Sequence, residues 1–492
     1  MIMESSLPTF TVEQVLQATG GVLLSGCTEN TFYGVTTDSR QVIEGNLFVA
    51  LQGEKYDGHD FVGLAIKQGA AGCVVHSEEK LNLTAAEKKV AVIKVADTLQ
   101  ALGDLAHVYR RRFPIPVIGL TGSSGKTTTK EMLAAILSRK KKTLTTEGNL
   151  NNLIGLPQTI FRLTKDHEIA ILEMGTNIRG EIKKLAQIAV PDIGLITNIG
   201  PAHLAGFGTV DIVAEEKGDL FLNMAPSGTA IVNVDDEAIQ IIAEKWPGKR
   251  ITFGMSSDAD ITAQDIVKNG SRGISFQLMV GRSVSQVEMK IVGIHHVYNA
   301  LAAAAAAWAA GIDCKSIVEG LASFQPVSGR MQIIKLQNRA FVIDDTYNAN
   351  PASVREALMT LKDLKSNHNG YVFLGDMLEL GAAAEEMHRK IGVLMATIGV
   401  NAVFLRGDFS KITAAGAIDG GMRPQNIFFL SPDEDGMPFL KKNLKDGDWV
   451  LVKGSRRMKM EKIVAQICDL FGRDESGEKA DKGGQKSGVN EH

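Results

Sequence analysis

"VIGLTGSSGKTTTKEML", Val117–Leu133, is the stretch on which the fold turns. Val117–Leu120 reads as a strand and Thr128–Ser138 as a helix, so the glycine-rich turn between them joins the two. Successive backbone N–H groups and a helix N-terminus then converge where an anion can sit. The strict phosphate-loop spacing G-x-x-x-x-G-K-[ST] is nevertheless broken: five places before Gly125 stands Leu120, and the nearest glycine is Gly119. The working parts remain. Gly122 and Gly125 let the backbone approach phosphate, Lys126 supplies a point charge for the outer phosphates, and the Thr127 hydroxyl is a ligand type that suits Mg²⁺. A glycine turn that merely joins strand to helix explains the flanks but not the GKTT ending, so ATP is the better reading.

Working outward, "PVIGLTG", "IAILEMG", "IGLITNIG" and "TAIVNVDD" are short apolar runs separated by stretches of helical period. That rhythm predicts a parallel sheet covered by helices. "ISFQLMV" and "VEMKIV" alternate with period two after an Asn269-Gly270 turn signal, which predicts a small antiparallel insertion. A second α/β rhythm follows, with "AFVIDDTY", "GYVFLGDM", "NAVFLRGD" and "DWVLVKGS" as strands of a Rossmann-like sheet. Before the phosphate loop, the loop-rich "GVTTDSRQVIEGNLFVALQGEKYDGHDF" precedes a helix, turn and strand, and "RRRFPIP" reads as a linker. The expected organisation is α/β in three domains. Residues 1–112 form a small mixed domain, 113–325 a central ATP-binding domain and 326–472 a Rossmann-like domain, with 473–492 a disordered polar tail.

Bulk properties agree with that division. A chain of 492 residues is too long for one core, and about 150 residues per domain suggests roughly three. The 53 basic and 56 acidic residues leave a net charge of −3, which gives no basic excess for nucleic acid. Cys27, Cys73, Cys314 and Cys468 are scattered with no C-x-x-C pair, arguing against disulfides or a zinc site and for a reducing, cytoplasmic setting. No secretory signal is expected at the N-terminus. The alanine run Ala300–Gly311 is too short for a spanning helix and predicts a buried one.

Acids for metal-assisted phosphoryl transfer come from the carboxyl ends of neighbouring strands, and Glu173, closing "IAILEMG", is placed that way. His203, after "IGLITNIG", reads equally as a loop histidine or a ligand, since Mg²⁺ prefers oxygen. Lys217, on its own, reads as a solvated helix lysine. "DDTYNANPASVREAL" puts acids and amides before a helix opened by Pro351, so Asn348 and Asn350 read either as turn and cap residues or as ligand contacts. "GDMLELG" is a further acidic loop after a strand. "KGSRRMKMEK", from Lys453, fits either an anion site or a charged helix start.

Taken together, these residues resemble the Mur ligase family, the ATP-dependent amide ligases that build the peptidoglycan stem peptide. The family's own loop reads T-G-[ST]-x-G-K-[ST]-[ST], which Thr121–Thr128 satisfies, so Gly122, Ser123, Ser124, Gly125, Lys126, Thr127 and Thr128 are its implied nucleotide contacts. The resemblance covers all but the tail. It implies Thr127, Glu173 and His203 as Mg²⁺ ligands at a site for two ions, and Lys217 as a lysine carbamylated beside the second, against the solvated reading. It makes Asn299 an adenine contact, with His296 a departure from the usual His-Asn, and brings Arg330 and Asp345 to the phosphates and ribose. Thr37, Ser39 and Arg40 become uridine-segment contacts, and Asn348 and Asn350 substrate contacts.

The branch of the family most resembled joins D-Ala-D-Ala to UDP-MurNAc-tripeptide and is expected to be monomeric. The branch that adds a diamino acid typically carries a D-N-P-R element, which is missing here. The uridine segment argues against a folylpolyglutamate synthase. A regulator that binds ATP without forming an amide is the rival of another class, and Glu173, Lys217 and Asp345 exceed its needs.

Overall fold

A nine-stranded sheet holds the phosphate-loop strand third from one edge. The computed structural model describes residues 7–79, 90–431 and 436–474. Across the sheet the strands run Thr143–Thr145, Ile169–Glu173, Val117–Thr121, Ile193–Ile196, Thr229–Asn233, Lys249–Gly254, Ile261–Lys268, Ile274–Val280 and Ser283–Met289. The first seven run parallel to one another, and the last two pairings of the sheet are antiparallel. Val117–Thr121, Ile169–Glu173 and Ile193–Ile196 are buried at every residue, as the central strands of a two-sided parallel sheet must be. Val117–Thr121 lies between the other two: the chain leaves it towards Thr143–Thr145 on one side and later crosses from Ile169–Glu173 to Ile193–Ile196 on the other, which opens a crevice at the carboxyl ends.

Gly119 belongs to packing rather than to the phosphate motif. A Cβ there would stand 2.8 Å from Pro191 and 3.1 Å from Leu220 and Met174, so glycine lets the covering layer approach the sheet. The helix begins earlier than its pattern suggests, at Lys126 and running to Leu137, because Gly125 takes the left-handed conformation and caps it. The alanine run lies in the buried helix His295–Ala309, packed against both the helix Lys126–Leu137 and the sheet.

The expected antiparallel insertion is instead the edge of the same sheet. Ile261–Lys268 pairs parallel with Lys249–Gly254 through only two residues and then antiparallel with Ile274–Val280. The buried face of that alternating strand continues the core of the parallel strands, so period two marks a half-covered edge rather than a separate unit.

The C-terminal sheet runs Gln332–Lys335, Phe341–Asp345, Trp449–Lys453, Gly370–Gly375, Ala402–Arg406 and Ile427–Phe429, parallel except for the first strand. The carboxyl ends of its central strands carry Asp345 and Lys453 towards the phosphate loop's crevice. The N-terminal residues form a five-stranded sheet, Val22–Ser25, Ala91–Lys94, Gly72–Val75, Leu47–Val49 and Val35–Thr36, beside the pair Thr9–Thr11 and Thr31–Tyr33. The "RRRFPIP" segment is pinned rather than loose: Arg110 donates to Ala189 O at 3.1 Å and to Phe113 O at 2.9 Å. At the other end, Arg473 bridges to Leu336 and Asp474 pairs with Lys335 at 2.7 Å, so these first two residues of the expected tail are ordered. Residues 475–492 lie outside the described residues.

Candidate active site

Two glycines shape the phosphate loop. Gly122 has φ 152° and Gly125 φ 76°, and a Cβ would stand 1.9 Å from Thr197 Oγ1 at the first and 2.4 Å from Asn299 Oδ1 at the second. The loop is braced from the neighbouring strand's end. The Ser123 N–H donates to Asn198 O at 3.0 Å, the Ser124 N–H to Asn198 Oδ1 at 2.9 Å, and Thr197 Oγ1 to Ser124 O at 2.6 Å. Those two N–H groups are therefore engaged within the protein. Gly125 offers no side-chain cap, which leaves the first-turn N–H groups of Lys126, Thr127 and Thr128 to attract an anion. Lys126 Nζ curls back to Gly122 O at 2.7 Å. Burial lowers its pKa from the ordinary lysine value, with Glu173 opposing and Arg330 adding to the shift.

Glu173 is 2% exposed at the end of its strand. It accepts from Thr127 Oγ1 at 3.0 Å and from Asn151 Nδ2 at 2.9 Å, and Arg330 Nη2 donates to the same Thr127 hydroxyl at 2.9 Å. Sequence reasoning missed Asn151, whose loop lies between strands and carries no motif. Thr127 and Glu173 supply two adjoining oxygen donors, the chemistry Mg²⁺ prefers. Among the described residues no group of three or more His, Cys, Asp or Glu side chains forms a closed metal cage.

Lys217, on the helix Val210–Leu222, is 2% exposed, which rules out the solvated reading. Burial, reinforced by the Lys126 charge and opposed by Glu216, drives its pKa well below the lysine value. Glu216 itself accepts from the Gly180 N–H at 2.6 Å and the Ile182 N–H at 2.8 Å. His203 sits at φ 54° and pairs through Nδ1 with Glu379 Oε2 at 2.7 Å, across the crevice in the "GDMLELG" loop. That bond holds the Glu379 carboxyl below its usual range.

A cavity of about 670 Å³ joins the phosphate loop to the C-terminal sheet. Arg330 lies 4.1 Å over the Tyr347 ring. Asp345 accepts from the Met331 N–H at 3.2 Å and forms an ion pair with Lys453. Asn348 is exposed. Asn350 caps the helix Pro351–Lys365 in a reciprocal box with Ser353, as the cap reading has it, and its Nδ2 also reaches Ser123 O at 3.3 Å. Asn299 Nδ2 donates to His296 Nδ1 at 3.1 Å, while the buried His296 Nε2 has no hydrogen-bond partner among the described residues. Burial pushes the His296 pKa well down.

The N-terminal trio stands apart from this cavity. Thr37 Oγ1 accepts from Gln158 Nε2 at 3.2 Å, Ser39 is buried, and the exposed Arg40 pairs with Asp38 at 2.7 Å.

Comparison with known proteins finds the Mur ligase family, catalytic domain, at residues 31–110, the Mur ligase middle domain at 120–307 and the Mur ligase, glutamate ligase domain at 329–456. The UDP-N-acetylmuramoyl-tripeptide--D-alanyl-D-alanine ligase of Bacillus subtilis is 34% identical over 460 residues, 93% of this chain and 98% of that one. The chain belongs to the Mur ligase family. Among solved structures, MurF from Acinetobacter baumannii matches this Mur ligase with a TM-score of 0.85 at 34% identity, covering 94% of this chain and all 100% of the other. The MurF ligase of Thermotoga maritima in complex with ADP matches at 0.79 and 27% identity, over 89% and 97% of the two chains. Among the described residues no helix of this Mur ligase is long and apolar enough to cross a membrane.

Proposed function

We propose that the chain is an ATP-dependent amide ligase that joins D-Ala-D-Ala to UDP-MurNAc-tripeptide, giving UDP-MurNAc-pentapeptide, ADP and phosphate. The observation that carries this reading is the junction of Thr127, Glu173 and Arg330, where two sheets meet over one phosphate loop. Near-complete coverage of a ligase of that name supports the choice of substrates. The working units of the reading are residues 1–112, 113–325 and 326–472.

In the chemistry, a carboxylate oxygen of the tripeptide attacks the γ-phosphorus of ATP. An acyl phosphate forms and ADP leaves. The free amine of D-Ala-D-Ala then attacks the acyl carbon, and a tetrahedral intermediate collapses as the C–O bond to phosphate breaks and the nitrogen loses a proton. Lys126, Arg330 and the first-turn N–H groups of Lys126–Thr128 offset charge on the phosphoryl oxygens, so catalysis is chiefly positioning and electrostatics. Gly122, Ser123, Ser124 and Gly125 shape the phosphate cradle, Asn299 faces the base and Asp345 the ribose. Asn348 and Asn350 contact the substrate, as do Thr37, Ser39 and Arg40 on the uridine side. Closure of the C-terminal sheet over the cavity would protect the acyl phosphate from water.

Thr127 and Glu173 fit Mg²⁺, which when bound neutralises phosphate charge. His203 would offer Nε2 to a second ion while Nδ1 stays paired with Glu379, the carboxylate contact that orients a ligating imidazole. Lys217, whose pKa burial drives down, is shifted towards the free amine that carbamylation needs, and a ¹³C carbamate signal from bicarbonate-fed protein would report it. The enzyme acts as a cytoplasmic monomer in this reading. Labelling the tripeptide carboxylate with ¹⁸O tests the path: one label must appear in inorganic phosphate. Phosphate free of label would rule out an acyl phosphate.

A further inference from the structure

The basic run that opens at Lys453 fits an anion site or a charged helix start by sequence, and its first residue does neither job. Lys453 ends the strand Trp449–Lys453 with its side chain 2% exposed. Its Nζ forms an ion pair with Asp345 and donates to the Asn348 carbonyl at 3.0 Å. Both partners lie in the short segment that links the strand end at Asp345 to the helix cap at Asn350. Two residues on, Ser455 Oγ contacts the same segment, donating to Ala349 O at 3.3 Å, and accepts from the Leu378 N–H at 2.8 Å. Gly454 between them has no room for a side chain, since a Cβ would stand 2.7 Å from Met460 and 3.0 Å from the Gly375 Cα. Lys453 and Ser455 thus tie one edge of the 345–350 segment to the sheet, while Asn350 ties its far end to Ser123.

A purely structural ion pair is the plain alternative. Such a buried pair adds little net stability over well-packed apolar residues, so stability alone does not account for a lysine here. What the charged contact does fix is direction. Asp345 spends one oxygen on Lys453 and the other on the Met331 N–H, yet each carboxylate oxygen keeps a further lone pair, and the residue lines the cavity. We infer that Lys453 is a positioning residue for nucleotide recognition, holding the Asp345 carboxylate in the orientation from which it accepts a ribose hydroxyl. The inference rests on the proposed reading that Asp345 faces the ribose of ATP.

The test compares kcat/KM for ATP with kcat/KM for 2′,3′-dideoxy-ATP in the full-length protein. Both nucleotides meet the same enzyme preparation, so the ratio is independent of the folded fraction and a merely structural role leaves it unchanged. In the wild type the ratio is expected to be about tenfold or more, the size of a hydrogen bond to a charged group. In Lys453→Met it falls to within about twofold of one. Lys453→Gln keeps a donor for the Asn348 carbonyl without the charge, guards against a variant that does not fold, and is expected to show a reduced ratio. A wild-type ratio retained in either folded variant overturns the inference, as does a wild type that turns over both nucleotides equally. A wild type with no ATP-dependent turnover would instead overturn the proposed function.

Discussion

Arg330 and Thr127 are 203 residues apart in the chain, yet Arg330 Nη2 donates to Thr127 Oγ1 at 2.9 Å. The arginine precedes the first strand of the C-terminal sheet, and the threonine stands in the first turn after the phosphate loop. One guanidinium thus connects the unit that grips phosphate to the unit that carries Asp345.

Arg330→Ala should lower kcat by on the order of 10²-fold, the usual effect of deleting one preorganised charge-stabilising donor. Its thermal midpoint should stay close to that of the wild type, because the side chain packs over Tyr347 at the cavity rather than in a core. Steady-state phosphate release and a melting curve check both halves. Near-normal kcat would remove Arg330 from the reacting phosphoryl group.

Gly122→Ala should destabilise the protein by about 1–3 kcal/mol, as overpacking does, and weaken ATP binding. The added Cβ would meet Thr197 Oγ1 at 1.9 Å, with φ at 152°. Adding Thr197→Ala should recover the steric part of the loss and leave the conformational part. Urea denaturation of the two variants separates them, and a single variant as stable as the wild type would contradict the geometry.

These positions also show what the sequence made legible. The strand, glycine turn and GKTT ending located the phosphate loop, and the strand-end rule located Glu173, because both signals are local. Gly119 stands one place off the strict spacing, and its reason could not be read locally, since it is the approach of Pro191 and Leu220 from elsewhere in the chain. Lys217 could not be told from a solvated helix lysine without the resemblance, for helical period does not say how deeply one face is covered. Asn151, Glu379 and Lys453 act through partners 22, 176 and 108 residues away, and one sequence carries no signal for such pairings.

Lys217 predicts a pH effect of definite sign. Its folded pKa lies well below 10.5, so between that lowered value and 10.5 the unfolded chain binds the extra proton. Stability therefore rises with pH through the window and is lost as pH falls through the folded pKa. Lys217→Met takes up no proton, so its stability relative to the wild type should be greatest at the low end and decline as pH approaches 10.5. Urea unfolding in bicarbonate-free buffer at several pH values measures the gap, and a gap independent of pH would contradict a lowered Lys217 pKa.

Asn151→Ala should raise the Mg²⁺ concentration for half-maximal turnover by about tenfold or more, as loss of a ligand-orienting partner does. Asn151 Nδ2 holds Glu173 Oε1 at 2.9 Å and aims the carboxylate. Titrating turnover with Mg²⁺ at saturating ATP tests it. An unchanged midpoint would take Glu173 out of the metal site.

The central claim is the pairing of substrates, and phosphate release from ATP by the purified protein tests it most directly. UDP-MurNAc-tripeptide is supplied with and without D-Ala-D-Ala, and UDP-MurNAc-dipeptide with free diamino acids serves as the cross-check. Release that requires tripeptide and D-Ala-D-Ala together is the predicted result. Release only with the dipeptide and a diamino acid, or none despite measurable ATP binding, would contradict it.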